Sequence, residues 1–523
     1  MKKNKKLFLI FILIISLISL ASCDNLSLSI TGDSEANNNQ KTATSVTTTI
    51  SKSNEKRMLS IIEMNDVHGY IMQNEDNKMG LSNMSYIINN IRDEEGEDNV
   101  LSIACGDMFQ GTGLVKMSYG EVMIDALNEM KLDACILGNH EFDWDLPVVL
   151  NYFDGDSSNG EANFPLINSN VYQGTKLVSV DGGKIYESYM FDKCGLNIGV
   201  IGFIGDVKSS INALYADKYK FDTNFISTTT KIGSNLKENG ADIIIVAIHD
   251  GVMQDIESYD LNKDLASIKY NDKYLVDAVI NAHTHQEQMG KISRDGGVDM
   301  PVIQSTGYKN NQLYEFGRID LKIDENNNVL SCATSHILAS SAKDNYDSNV
   351  EEVIDKYYEK DEDTLSKIYT KSLVNISRYS ANTYNWVANV MLASTGADIA
   401  ICNTGGLRTN ISKGDITFED VYQFNPFDNH VIVHECSVEK INKFIDSSYY
   451  FYNTKDNTLK TSGTYKVAII DYVYYGNYYK NCYSNIYYDT NLILRDLLLE
   501  DLELRDTFNI NTDTEAKITL KWS

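Results

Sequence analysis

Positive charge is scarce in this chain: 46 lysines and arginines stand against 73 aspartates and glutamates over 523 residues, a formal charge of −27. No Lys/Arg cluster interleaved with aromatics occurs, and binding through phosphate neutralisation needs a basic face, so nucleic acid is excluded as a bound partner. Phosphate itself is not excluded, because bound metal can bring the missing positive charge. The N-terminal apolar run LFLIFILIISLISL has only 14 residues, short of the roughly 20 that span a bilayer comfortably. Cysteine supplies no framework. Cys105, Cys135, Cys194, Cys332, Cys402, Cys436 and Cys482 are scattered without a CxxC pair, an odd set, several of them within apolar runs where a buried free thiol is expected. No repeat of fixed period and no G-x-S-x-G motif is found, so a serine nucleophile is not indicated.

What is present begins with basic MKKNKK, then the short apolar run, then LASC, which together read as an export signal. Leu20, Ala21, Ser22 and Cys23 resemble a bacterial lipobox, implying cleavage before Cys23 and its acylation. Residues 24–56 are rich in Ser, Thr and Asn and read as a flexible tether. The expected mature protein is exported and held by a lipid anchor at the cell envelope, on its periplasmic or outer surface. The chain is too long for one ordinary core. The expected division is a signal peptide (1–22), a tether (23–56), a first domain (57–344), an amphipathic connecting helix (345–368) and a second domain (369–523).

MLSIIEMNDVHG, VLSIACGDMFQG, ACILGNHEFD, LNIGVIGFIGD, ADIIIVAIHDG and LVDAVINAHTH each read as a short buried strand ending in His, Asp, Asn or Gly. Helix-period segments such as MSYIINNIRDEE lie between them. This alternation predicts an α/β domain whose ligand site lies beyond the strand ends, where the polar clusters converge.

Those strand ends carry Asp66, His68, Asp107, Asn139, His140, His249, His283 and His285, including five of the eight histidines. Singly, each is an ordinary loop residue. Together, imidazole, carboxylate and amide suit divalent ions such as zinc or manganese, and not calcium, which prefers oxygen alone. One carboxylate can bridge two such ions, an arrangement that clamps a phosphoryl centre and lowers the pKa of water.

DxH, GDxxQG, GNHEFD, a lone His after a strand and a final HxH, in that order, resemble the calcineurin-like metallophosphoesterases. The forms NDVHG, GDMFQGTG and GNHEFD are most similar to the 5′-nucleotidase branch, over roughly residues 58–523. The resemblance implies an N-terminal β-sandwich flanked by helices and a smaller α/β substrate-binding domain. It makes Asp66, His68 and His285 ligands of one metal, Asn139, His249 and His283 ligands of the other, and Asp107 the bridge. His140 and Asp143 match the family's catalytic pair, and hydrolysis is direct, by metal-activated water. Glu141 receives no catalytic role and reads as a turn residue or as an acceptor supporting the ligands.

CNTGGLRTNISKGDITFEDVYQFNPFDN is similar to the family's C-terminal domain. Matching positions make Asn403, Gly405, Gly406 and Arg408 phosphate and ribose contacts, and Phe427 one face for a nucleobase. The second stacking aromatic becomes Tyr472, in IDYVYYGNYYKN, which lacks the family's Gly-Asp pair. Where some members carry two further arginines, this chain has only Arg378. The implied activity is hydrolysis of extracellular nucleotides to nucleoside and phosphate. A 2′,3′-cyclic-nucleotide phosphodiesterase with 3′-nucleotidase activity, a UDP-sugar hydrolase and a non-catalytic surface binding lipoprotein remain alternatives. In family members the second domain swings to bring phosphate onto the metals, and 345–368 would be the hinge.

Overall fold

Strands with apolar side chains on both faces need cover on both sides. Leu59 and Ile61, two residues apart on the strand Arg57–Met64, enter one apolar cluster, whereas Ile62 and Met64 enter another. Ile243 and Ile245 enter the same cluster as Leu59, while Ile244 and Val246 face a third. This two-residue period builds layers: helix, sheet, sheet, helix. The computed structural model describes residues 57–521 apart from 74–78, 252–258, 310–311, 446, 457, 459–460 and 477–485. The export segment, Cys23 and the tether lie outside the described residues.

One sheet runs, in spatial order, Val329–Leu338, Glu315–Ile323, Arg57–Met64, Val100–Ala104, Ala134–Ile136, Leu166–Ile167 and Ile185–Tyr186. The facing sheet runs Gln288–Ile292, Met300–Gln304, Ala278–Ile280, Ile243–His249, Leu196–Ile204 and Ser188–Lys193. Their centres are parallel: Ile61 pairs with Leu101, Ile103 with Ala134, Ile245 with Val200 and with Ala278. Leu59, Ile61, Leu101, Ile103, Val200, Ile280 and Ile303, all without exposed surface, fill the space between the sheets. Each such burial contributes about 1.5–3 kcal/mol. The expected sandwich with helices outside is the observed one.

The helix Ser348–Leu365 joins this domain's core through Val350, Ile354, Tyr357 and Leu365. The chain then enters a second core around a five-stranded sheet, ordered Tyr450–Thr454, Ile399–Asn403, Thr464–Ile470, His430–Ser437 and Ile486–Ile493. Its helix Ala381–Thr395 buries Trp386, Val387, Val390 and Met391 in that core, with Trp386 against Phe424 and Phe508. Among the described residues, Cys105, Cys135, Cys194, Cys332 and Cys402 are free thiols, and no helix is long and apolar enough to cross a membrane.

Candidate active site

Five parallel strands end at one place. Asp66 and His68 follow Arg57–Met64, Asp107 follows Val100–Ala104, and Asn139 follows Ala134–Ile136 in the first sheet. His249 ends Ile243–His249, and His283 with His285 follows Ala278–Ile280 in the second. Asp66, His68, Asp107, His283 and His285 all have positive φ, between 48° and 73°, which few non-glycine residues adopt. Turns held in such conformations cluster at sites where side-chain aim outweighs backbone comfort.

The side chains form two groups that share the region of Asp107. Asp66, His68 and His285 lie together, with Asp66 Oδ1 3.4 Å from His285 Nε2 and 3.9 Å from His68 Nε2. Asp107, His249 and His283 form the other, with His249 Nε2 3.2 Å from Asp107 Oδ2 and 3.3 Å from Asn139 Oδ1. Asp107 Oδ2 is also 3.8 Å from His68 Nε2, so one carboxylate faces both groups. Each group draws from both sheets.

The donor set fits divalent metal. Asp66 Oδ1 and His68 Nε2 are buried without a hydrogen-bond partner, a costly state unless something binds them. His68 Nδ1 lies 3.0 Å from the Gln110 carbonyl and His249 Nδ1 2.7 Å from that of Cys105. A carbonyl only accepts, so both rings carry their proton on Nδ1 and offer Nε2, the usual orientation of metal-ligating imidazoles. Burial, reinforced by neighbouring imidazoles, holds His68 well below its ordinary pKa, and burial lowers His283 and His285; ligating imidazoles must be neutral. Burial opposes ionisation of Asp107, yet His249 and His140 hold its carboxyl well below the usual range. Burial equally opposes charging His249, but Asp107 prevails and pushes it up to about 10. That proton marks where positive charge is wanted, and a cation would replace it.

Glu141, expected as a turn residue or a supporting acceptor, is the acceptor. Its carboxylate, 2% exposed, accepts backbone N–H bonds from Gly138 at 2.6 Å, Asp107 at 2.9 Å and Met108 at 2.8 Å. It therefore ties the Asp107 turn to the Asn139 turn. Gly138 is required there, since a Cβ would sit 2.3 Å from Asp107 Oδ1. His140 comes from the same turn, with its backbone N–H donating to Asp107 Oδ1 at 2.8 Å. Its Nδ1 is 2.7 Å from Asp143 Oδ2, which leaves Nε2 on the side of Asp107, 4.0 Å from Oδ2. Burial disfavours the imidazolium, but Asp143 and Asp107 outweigh it and raise the His140 pKa.

The second domain closes the site. A cavity of about 250 Å³ is lined by Asp107, Asn139, His140, Asp143, His283 and His285 from the first domain. Asn403, Gly405, Gly406, Arg408, Phe427 and Tyr472 from the second line the same cavity, so all six expected substrate contacts face the expected ligands. Phe427 stacks on His140 with ring centroids 5.9 Å apart. Gln110 Nε2 donates to the Pro426 carbonyl at 2.8 Å, and Asp428 pairs with both Lys116 and Arg495. Arg378 donates to the carbonyls of Leu407 and Arg408 at 3.0 and 2.6 Å, so it buttresses the Arg408 loop. Trp144, Asn212 and Tyr215 also line the cavity. They were not expected, being ordinary residue types outside the recognisable motifs.

Residues 59–287 match the calcineurin-like phosphoesterase family, and residues 368–474 match the 5′-nucleotidase C-terminal domain. The chain is 26% identical over 411 residues to a 5′-nucleotidase of Vibrio cholerae, covering 71% of this chain and 72% of that protein. It is 24% identical over 428 residues to a 5′-nucleotidase of Vibrio parahaemolyticus, covering 74% of each. Among solved structures, the 5′-nucleotidase precursor of Thermus thermophilus shares the fold with a TM-score of 0.70 at 18% identity, covering 89% of this chain and all of that one.

Proposed function

Because the chain belongs to the metallophosphoesterases that join a calcineurin-like phosphoesterase domain to a 5′-nucleotidase C-terminal domain, and is a metal-dependent phosphoester hydrolase, we propose that it converts extracellular nucleotides to nucleoside and phosphate. One observation carries the reading: Asp107 and members of both candidate metal groups (His285 of one, Asn139 and His283 of the other), the His140–Asp143 pair and the Arg408 loop line one cavity between the domains.

Asp66, His68 and His285 would hold one divalent ion, Asn139, His249 and His283 a second, and Asp107 would serve both. The mixed nitrogen and oxygen donors favour zinc or manganese. Such ions supply positive charge to phosphoryl oxygens and lower the pKa of water. Arg408 binds phosphate oxygens from the opposite wall. Asn403, with the open backbone of Gly405 and Gly406, contacts phosphate and ribose. Phe427 and Tyr472 offer faces to the base. His140 keeps a proton on Nε2, with Asp143 fixing the ring through Nδ1, and so supports charge on the phosphate or leaving oxygen. Closure of the second domain excludes water from the cavity, and Ser366–Lys367, just past the docked helix, is the natural pivot. The export signal and Cys23 support a lipid-anchored placement at the envelope, which incorporation of labelled fatty acid into wild type and not into Cys23→Ser would test.

The decisive assay offers AMP, 3′-AMP, 2′,3′-cyclic AMP and UDP-glucose to the purified full chain, with manganese or zinc and after chelation, and resolves products by chromatography. Metal-dependent turnover of AMP that Asp107→Asn and His140→Ala both cripple is the expected result. Preference for the cyclic ester or the UDP-sugar would shift the reading to those activities. No turnover of any of the four would sink the nucleotidase reading in favour of an unrelated ester or a surface binding protein.

A further inference from the structure

Sharing no residue with the dimetal groups, Glu287, Glu315 and His336 bring one ligand atom each within 4.8 Å of one another. The fold dictates the meeting. His336 pairs directly with Gly317 across the hairpin Glu315–Ile323/Val329–Leu338, so Glu315, two residues before Gly317, is its diagonal neighbour on the same face. Glu287 arrives from the segment just after His285, before the strand Gln288–Ile292.

The interior pair is unsatisfied. Glu315 is 1% exposed; its Oε1 accepts from the Thr306 N–H at 2.9 Å, but Oε2 is buried without a partner. The His336 side chain is 5% exposed, and its Nε2 lies 3.0 Å from the Gln304 carbonyl. A carbonyl fixes the proton on Nε2, so the neutral ring turns its Nδ1 lone pair toward Glu287 Oε1, 3.6 Å away, and makes no hydrogen bond there. A lone pair facing two carboxylates is repulsive unless positive charge sits between them. The same device appears at His68 and His249, where one ring nitrogen is held by a backbone carbonyl and the other is turned toward carboxylate.

We propose that Glu287, Glu315 and His336 form a third divalent-cation site, separate from the dimetal centre. One imidazole nitrogen and two carboxylates suit zinc or manganese better than calcium, and the partly exposed Glu287 leaves room for water to complete the coordination. A cation there clips the segment following the HxH turn to the β-hairpin beneath it, so it acts on how His283 and His285 are held and not on substrate.

The test titrates the chelator-stripped full chain with Zn²⁺ alone, and separately with Mn²⁺ alone, reading bound equivalents by calorimetry and elemental analysis. Glu287→Gln, an exposed position with no folding burden, and His336→Ala are each expected to bind one equivalent fewer than wild type. Equal stoichiometry in wild type and both variants, with either ion, would overturn the site and leave a protonated His336 as the charge between the carboxylates. Asp107→Asn is titrated in parallel, so that a failure of the dimetal reading shows as unchanged binding in that variant alone.

Discussion

Three backbone N–H groups, those of Gly138, Asp107 and Met108, converge on the Glu141 carboxylate. Glutamine at 141 would keep one acceptor oxygen and turn an NH₂ toward N–H donors, loosening the turn that aims Asp107. Glu141→Gln is therefore expected to weaken metal binding or turnover by about 10–100-fold without unfolding the protein; metal titration beside a urea transition checks both halves. The candidate ligands were legible in the sequence because Asp, Asn and His at strand ends advertise their chemistry, and the structure brings them together. For Glu141 an accepting role was legible but its partners were not, because they are backbone amides, which leave no mark in a sequence. The sequence left Arg378 without an assigned contact for the same reason: it donates to the carbonyls of Leu407 and Arg408.

At the scale of elements, the strands were readable where both faces are covered, as in ADIIIVAIHDG, whose run Ile243–His249 is buried throughout. The two-residue strands Leu166–Ile167 and Ile185–Tyr186 were not, being too short for any period to show. The helical spacing of Val350, Ile354, Tyr357 and Leu365 was legible too, but the surface it covers was not; Tyr357 donates to Asp125, 232 residues away. In the second domain, the helices Ala381–Thr395 and Leu494–Glu503 are joined by Asp501, which is fully buried and accepts from Trp386 Nε1 at 2.8 Å and Arg505 Nη2 at 2.8 Å. Asp501→Ala strands a guanidinium that is 6% exposed and is expected to cost about 3–5 kcal/mol, read as a lower urea midpoint for this domain. On the strand His430–Ser437, burial pulls the His434 pKa down from the ordinary imidazole 6.5 to about 4. Its folded pKa lies below the unfolded one, so its contribution is complete above pH 6.5 and is lost as pH falls toward 4, on the order of 3 kcal/mol in all. Urea transitions across that window should flatten in His434→Gln.

For the whole molecule, the order of domains and their shared cavity could be anticipated from motifs. The contacts that close them could not: Gln110 reaches Pro426 and Lys116 reaches Asp428 across more than 300 residues, using side chains common on any surface. Metal removal is a whole-molecule experiment as well. A ligand present at 100 times its Kd stabilises by about 2.7 kcal/mol per site, so chelation is expected to lower Tm by roughly 5 °C or more, and calorimetric scans with and without chelator would show it. The reason lies in where the ligands originate. Asp66, His68, Asp107 and Asn139 hang from one sheet, and His249, His283 and His285 from the other. Ions held among them, as proposed, would act as rivets through both plates of the sandwich at this rim. Hydrolysis and mechanical closure then depend on the same bonds, and a cell that starves the protein of metal would lose activity and rim together, leaving the unfastened strand ends as the first place a protease could bite.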